Sequence, residues 1–249
     1  MTTSAAPARH RQGSFRLVCP PMRCRIAAWA ACSLLVACAI SACGGGGSSG
    51  NGVASKSASE IVTAALGAID SAKSAHISGS VISGNSPISL NLNLVAGKGG
   101  RGQMSEGGLG FQIEVIGNEV YINGSPAFWK HFGGAAAAAV FQGKWLKAPA
   151  SGQFASLAQL SNLHALLGTV LSTHGNLTKA GTTTIKGQNA IGVRDTSQGG
   201  TLYVATTGKP YPLEILKSGG QGGRIVLGNF DRPVTLTPPA NAIDISQFK

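Results

Sequence analysis

The chain has 249 residues, 36 of them glycine, and a formal net charge of +11. Five arginines and no acidic residue precede Cys43, so residues 43–249 hold 15 basic and nine acidic side chains, a charge of +6. These charges are scattered without a Lys/Arg run, which argues against a nucleic-acid partner and favours an anionic lipid surface. All five cysteines lie at or before Cys43, so the domain after it must fold without disulfides.

The N-terminal region is predicted to be a secretory signal. Arg23 and Arg25 precede a charge-free apolar run, Ile26–Ala42, which is the order of charged and apolar regions in a signal peptide. The run ends in Ile40-Ser41-Ala42-Cys43, which resembles the lipobox of bacterial lipoproteins. The resemblance implies cleavage between Ala42 and Cys43 and a lipid, with acyl chains such as palmitate, on the Cys43 sulfur. We therefore expect residues 1–42 to be removed.

Other interpretations of this region stay open. The apolar run of 17 residues is at the lower limit for an uncleaved transmembrane helix, and no cationic cluster follows it. Leu35-Val36-Ala37-Cys38 also fits a lipobox, although Cys43 alone opens directly into a Gly/Ser-rich segment. Translation from Met22 is a further hypothesis, because residues 1–21 would form an unusually long prefix to a signal.

One domain is predicted after a short linker. Gly44–Lys56 is rich in Gly, Ser and Asn, so residues 43–56 are predicted to be a flexible, lipidated tether and residues 57–249 a single domain. Ser59 is a candidate N-cap for a helix that reaches about Lys73. The period then changes from helical to two, beginning with a strand over residues 76–83.

Alternation of apolar and polar residues predicts an antiparallel sheet with one wet face. Ile88–Leu94 and Phe111–Val115 alternate strictly, and Gly117-Asn118 is a hairpin signal before a strand over 119–123. Gly97–Gly102 is interpreted as a turn. A short, weak helix is expected over Ala135–Ala139 and a brief strand over 143–147. The best helix runs from Phe154 to Leu171, and six further strands are expected at 177–185, 189–195, 201–206, 212–217, 224–229 and 234–237.

In this order, several short segments resemble the LolA/LolB-like superfamily of lipid-handling envelope proteins, and within it the LppX/LprG-type actinobacterial lipoproteins. The segments are Ser74-Ala75-His76 with Gly79; Gly117-Asn118-Glu119-Val120-Tyr121 before Trp129; Gly143-Lys144-Trp145; Pro210-x-Pro212-Leu213; and Phe230-Asp231-x-Pro233-Val234 with Pro238-Pro239. The resemblance covers about residues 57–249. It implies an α+β fold in which a strongly curved antiparallel half-barrel of about eleven strands wraps two or three helices.

The resemblance further implies a membrane-anchored lipoprotein on the extracytoplasmic face that binds or transports a lipid or other apolar ligand. The residues predicted to line the cavity are Leu90, Leu92, Leu94, Phe111, Ile113, Val115, Leu157, Leu160, Leu163 and Leu167. Residues 128–143 are a candidate gate, with Trp129 and Phe132 as its main side chains. The alternative is a protein-interaction or envelope-sensing lipoprotein with a solid core, because alternation cannot distinguish a packed interior from a hollow one.

Motifs for catalysis or for a cofactor are weak. Gly97–Gly102 satisfies G-x-G-x-x-G, but the dinucleotide fingerprint needs a helix to begin there, and strand-like sequence follows instead. Gly46–Gly50 satisfies G-x-S-x-G without the strand and helix that a nucleophile elbow requires. His164 and His174 have no familiar metal spacing, and Glu114 and Glu119 are expected on the polar face of a hairpin. We therefore expect no enzyme activity, no cofactor and no metal; a protein partner is not indicated.

Overall fold

A computed structural model of the protein describes residues 50–249, apart from 160, 161, 221 and 249. Its described helices are α1 (Ala58–Asp70), α2 (Pro126–Phe141), α3 (Ala155–Gln159) and α4 (Leu163–Ser172). The strands are β1 (Ser74–Ser83), β2 (Ser86–Val95), β3 (Gly99–Glu106), β4 (Leu109–Ile116), β5 (Glu119–Gly124), β6 (Leu146–Pro149), β7 (Leu177–Ile185), β8 (Gln188–Asp195), β9 (Thr201–Ala205), β10 (Pro212–Lys217), β11 (Gly223–Gly228) and β12 (Ile243–Asp244).

All twelve strands belong to one open sheet, in the order β12-β6-β5-β4-β3-β2-β1-β11-β10-β9-β8-β7. Neighbouring described strands are antiparallel except β12 and β6, which are parallel. Bulges interrupt the β7–β8 and β9–β10 pairings, and such bulges increase the local bend and twist of a sheet. The predicted α+β fold, an antiparallel half-barrel around helices, is confirmed.

The sheet has an apolar inner face and a polar outer face. On β2, for example, Leu92 and Leu94 are buried, whereas Asn91 is exposed. The inner face packs against α1 and α4, and their side chains form one hydrophobic cluster. Its members include Ile61, Ala65 and Ile69 of α1, Leu163, Leu167 and Leu171 of α4, and Ile77, Leu94, Val115, Val120, Val193, Val204 and Leu227 of the strands. Burying each large aliphatic side chain contributes about 1.5–3 kcal/mol, so this cluster is the main source of stability.

Helix α1 begins directly after a capping box formed by Ser57 and Glu60. The Ser57 hydroxyl accepts a hydrogen bond from the Glu60 N–H, and the Glu60 carboxylate accepts one from the Ser57 N–H, at 2.9 Å. The predicted N-cap, Ser59, is instead inside the helix, and the helix ends at Asp70 rather than near Lys73. Ile61, Ala65 and Ile69, which lie four residues apart along one stripe of this helix, face the core.

The described domain begins within the predicted tether. Val53 is only 1 % exposed in the hydrophobic cluster, and the Asn51 amide donates to the carbonyls of Ala205 and Gly208 at 3.0 Å each. Residues 50–56 are therefore bound to the domain, because Val53 packs into the hydrophobic cluster and the Asn51 amide is hydrogen-bonded. The predicted signal (residues 1–42), the predicted cleavage site between Ala42 and Cys43, and the tether before Gly50 lie outside the described residues.

Other element boundaries also differ from the predictions. The Gly-rich segment read as a turn contains the start of β3, which pairs with β2 and β4 along its whole length. The helix expected over 135–139 starts nine residues earlier, at Pro126, where Ser125 caps it. The long helix expected over 154–171 is described as two helices, α3 and α4, on either side of residues 160–161. Residues 234–237 are not a strand: prolines flank the segment, and its Thr237 N–H donates to the Glu114 side chain of β4.

Candidate functional site

The described residues among those predicted to line a cavity lie together, some on the inner face of the sheet and some on the helices that cover it. Leu90, Phe111 and Leu157 are partly buried at the edge of the hydrophobic cluster, and Leu160 is outside the described residues. The remaining six predicted cavity residues are 0–4 % exposed: Leu92, Leu94, Ile113, Val115, Leu163 and Leu167. Side chains with so little exposed surface contact other protein atoms over nearly all of their area. In this conformation the interior between α4 and the sheet is packed.

The opposite end of the inner face is covered by α2 and is packed less tightly. Phe128 of α2 lies over Phe111 of β4, with ring centroids 5.1 Å apart, and over Phe132 at 4.7 Å. Trp129 stands at right angles to Phe128, at 5.0 Å, and contacts Phe141 at 5.6 Å. Leu90 and Met104 adjoin this aromatic cluster on β2 and β3. None of the 16 residues of α2 is buried.

Gly124, at the end of β5, lets α2 approach the sheet. A Cβ there would lie 2.9 Å from Cε2 of Trp129 and 3.0 Å from Cγ of Phe128, closer than real contacts allow. Beside it, the Trp129 indole N–H is enclosed without a hydrogen-bond partner among the described residues. An enclosed indole N–H normally finds an acceptor, so Trp129 leaves one donor free under α2.

Helix α2 is broken in the middle by Gly134, whose φ of 74° and ψ of −174° are not helical. Glycine takes this conformation without steric cost, so the break divides α2 into an aromatic half and an alanine-rich half. The two side chains predicted for the gate are placed differently: Trp129 packs inward, whereas Phe132 is 67 % exposed. Residues 126–141 are therefore an apolar cover that is held by few contacts.

A polar cluster that the sequence did not predict joins the C-terminal segment to β1. The backbone N–H of Lys73 donates to Asp231 at 2.8 Å, the Tyr211 hydroxyl donates to it at 2.8 Å, and Lys209 approaches it at 3.1 Å. These hydrogen bonds lower the pKa of Asp231 to about 2, and the bond from the Lys73 N–H has the largest effect. The Tyr211 ring stacks on Phe230 at 4.0 Å. Because Lys73 precedes β1 and Asp231 follows β11, the cluster joins the C-terminal segment to the start of β1.

The residues considered for metal binding or catalysis do not converge. No group of three metal-binding side chains occurs within the part of the chain that the structure describes. Glu119 pairs with Lys147 and Tyr121, which lowers its pKa, while Glu114 accepts the N–H of Thr237 at 3.0 Å. Gly97–Gly102 forms the β2–β3 turn and the start of β3, and no helix begins there. Among residues 50–249, as far as they are described, no helix is long and apolar enough to cross a membrane.

The architecture defines a fold class: an open, mostly antiparallel sheet wrapped around helices, which is the LolA-like fold. Solved structures with this fold include LprF from Mycobacterium bovis, at a TM-score of 0.54 and 16 % identity over 74 % of this chain and 97 % of that one. The lipoprotein LppX from Mycobacterium tuberculosis matches at a TM-score of 0.50 and 15 % identity, over 72 % and 98 %. The predicted resemblance to LppX-type proteins is thus confirmed in the fold. No family model and no curated protein sequence matches the chain.

Proposed function

We propose that this protein binds a lipid or another apolar ligand between its sheet and helices, and that a lipid on Cys43 holds it at the extracytoplasmic face of the cell membrane. The observation that carries the proposal is α2, an apolar helix over the apolar end of the inner face that buries none of its own residues. The fold shared with the lipoprotein LppX supports the same conclusion.

A ligand enters under α2 in this proposal. Moving α2 away uncovers Leu90, Met104 and Phe111, which continue into the main hydrophobic cluster. The contacts that hold α2 are mainly aromatic pairs, each worth about 0.5–1.5 kcal/mol beyond their buried area. An acyl chain gains about 0.8 kcal/mol for each methylene that leaves water, so one or two methylenes offset this contribution of one such pair. The free indole N–H of Trp129 is a donor for a polar group at the ligand's end.

The membrane anchor is supported by the sequence and by where the described domain begins. Only seven residue steps separate Cys43 from Gly50, which pairs with Thr207. A fully extended chain of this length spans at most about 25 Å, so the lipid would keep the domain close to the bilayer. Acyl chains contribute about 0.8 kcal/mol per buried methylene, and two chains give stable attachment.

Ligand binding is tested with residues 46–249, which contain the whole of the described domain and its main hydrophobic cluster. Native mass spectrometry should detect a co-purifying lipid, and a fluorescent fatty acid should bind the lipid-stripped protein. Leu90→Trp fills the space under α2 and should abolish probe binding, whereas Ser89→Trp, on the outer face of the same strand, should not. No bound lipid together with no probe binding would refute the carrier function.

The anchor is tested separately in the full chain expressed in an actinobacterial host. Cys43→Ser should move the protein from the membrane fraction to the soluble fraction, and Cys38→Ser should leave it in the membrane. Release by Cys38→Ser alone would assign the anchor to the other lipobox. Because this readout does not involve the interior, it stands or fails independently of ligand binding.

A solid-core interaction module on the same fold is the second candidate. Its supporting observation is the burial of six predicted cavity residues of the sheet and α4 at 0–4 % exposure, together with the exposed side chains Phe132 and Val140 on α2. Such a module would carry no lipid in native mass spectrometry and would lose partner capture on Phe132→Ser. A carrier would show a bound lipid in native mass spectrometry, and Phe132→Ser would leave its lipid binding unchanged because Phe132 lies outside the ligand space.

A further inference from the structure

The outer face of the sheet carries a row of side-chain amides across four adjacent strands. Asn91 on β2 is the register partner of Gln103 on β3, Gln103 of Gln112 on β4, and Gln112 of Asn123 on β5. Register partners project from the same face of a sheet, with neighbouring strands about 4.8 Å apart. The four amides therefore form a straight row about 14 Å long from β2 to β5.

Three of these amides have no hydrogen-bond partner among the described residues. Only Asn91 has one, through its Oδ1, which lies 2.8 Å from Nε2 of His76. Each free amide offers two donors and an acceptor with two lone pairs. Asparagine is depleted in β-strands, where β-branched side chains are favoured, so a row of amides is not what strand formation by itself selects.

Two recesses border the amide row and share three of its members, Asn91, Gln103 and Gln112. The first has a volume of about 610 Å³ and is bounded by Pro126 and by Gly143. The second has a volume of about 360 Å³ and is bounded by Trp145. The outward-facing amides place both recesses along the outer face of the sheet. The first recess also reaches Leu90, Met104 and Phe111 and so adjoins the residues under α2, whereas the second reaches none of these three.

The second recess adds an aromatic ring and one pair of opposite charges. Its lining includes the half-buried Trp145, the Arg101 guanidinium and the Glu114 carboxylate. Arg101 and Glu114 are register partners on β3 and β4, and Glu114 is held from the side by the N–H of Thr237. The two charges cancel, so the groove as a whole is neutral.

These features select the chemistry of the ligand. A neutral groove gives no advantage to phosphates or nucleic acids, and a floor of amides disfavours an acyl chain. A peptide strand would need unpaired backbone groups, but β2–β5 all have neighbours on both sides. Hydroxyl groups on neighbouring carbons of a sugar can hydrogen-bond to planar amides, which both donate and accept. The C–H face of a pyranose ring packs on an indole ring.

We propose that the groove formed by Asn91, Gln103, Gln112, Asn123 and Trp145 binds a segment of a neutral polysaccharide chain along the amide row. The row accommodates several consecutive sugar rings, so affinity rises with chain length. This site is on the opposite face of the sheet from the apolar interior, and its existence is independent of lipid binding.

The test uses the full chain in a detergent without a sugar headgroup. Maltohexaose, cellohexaose and mannohexaose, with the three matching disaccharides, are titrated by saturation-transfer NMR and calorimetry. At least one hexasaccharide should bind with a Kd of about 1 mM or tighter, and its disaccharide about tenfold more weakly. The double substitution Gln103→Ala/Gln112→Ala should weaken hexasaccharide binding at least about tenfold.

The control is Asn189→Ala, which removes an exposed strand amide from β8, in the other half of the sheet. It should leave sugar binding unchanged, and unfolding curves of all variants should coincide because the altered side chains have no partners. No binding by any hexasaccharide, or equal binding by the double variant, overturns the proposal. A change of oligomeric state in the double variant without loss of sugar binding also overturns it, because the row would then contact a second copy.

Discussion

Leu167→Ala tests whether the inner face is packed as tightly as its low exposure indicates. Leu167 on α4 is 3 % exposed in the hydrophobic cluster, and Val170 on the same helix is 47 % exposed. Truncating a buried leucine costs about 2–5 kcal/mol, from lost transfer energy and from the cavity left behind. Leucine and alanine have similar helix propensities, so nearly all of this cost is packing. We expect about 3 kcal/mol for Leu167→Ala.

The assay is urea unfolding of the lipid-free domain, followed by circular dichroism. The midpoint should fall without a change in slope, and the melting temperature should drop by about 6–12 °C for a domain of this size. Val170→Ala is the matched control and should change stability by less than about 0.5 kcal/mol. A loss below about 1 kcal/mol for Leu167→Ala would refute the packed interior and indicate a void beside α4.

Three further predictions concern α2 and two polar contacts. Gly124→Ala brings a methyl group against Phe128 and Trp129, so amide exchange in residues 126–141 should accelerate while α1 is unaffected; unchanged exchange would show that α2 tolerates the group. Asp231 has a pKa of about 2 against 3.8 in the unfolded chain, so its stabilisation is present above pH 4 and lost as pH falls toward 2. Asp231→Asn, which suits the left-handed backbone at φ 60°, should flatten acid unfolding in that range, measured by fluorescence. Arg224→Ala removes the 2.7 Å partner of buried Glu214 and should cost about 1–3 kcal/mol in urea unfolding, with recovery by Glu214→Gln; no recovery would assign the loss to Arg224 packing.

The alternating pattern was sufficient to predict an antiparallel sheet with a wet outer face, whereas its curvature into a half-barrel was implied by the family resemblance. Strict alternation in β2 and β4 put Leu92, Leu94, Ile113 and Val115 on the face that the structure buries. This succeeded because side chains of a strand alternate between faces whatever the strand's neighbours are. The hairpin at Gly117-Asn118 was also predicted, because glycine at φ 57° is a local requirement of the turn.

Elements that depend on distant contacts were predicted less well. β3 has glycine at positions 99, 100 and 102, so it shows no alternation of its own and is defined by pairing with β2 and β4. The extent of α2 follows from the Ser125 cap and from the sheet beneath Phe128, neither of which an alanine run reveals. The strand expected over 234–237 fails because the Thr237 N–H bonds the Glu114 side chain rather than a neighbouring strand.

The sequence by itself determined which residues face inward and which face outward, since this depends only on the period of a strand. It also contained the lipobox resemblance at Cys43, which is a local pattern. Only the tertiary structure decided that the inward residues near α4 are almost completely enclosed, because packing depends on distances between segments far apart in the chain. For the same reason, Asn91, Gln103, Gln112 and Asn123 are four unrelated amides in the sequence and become one row only through the register of four strands.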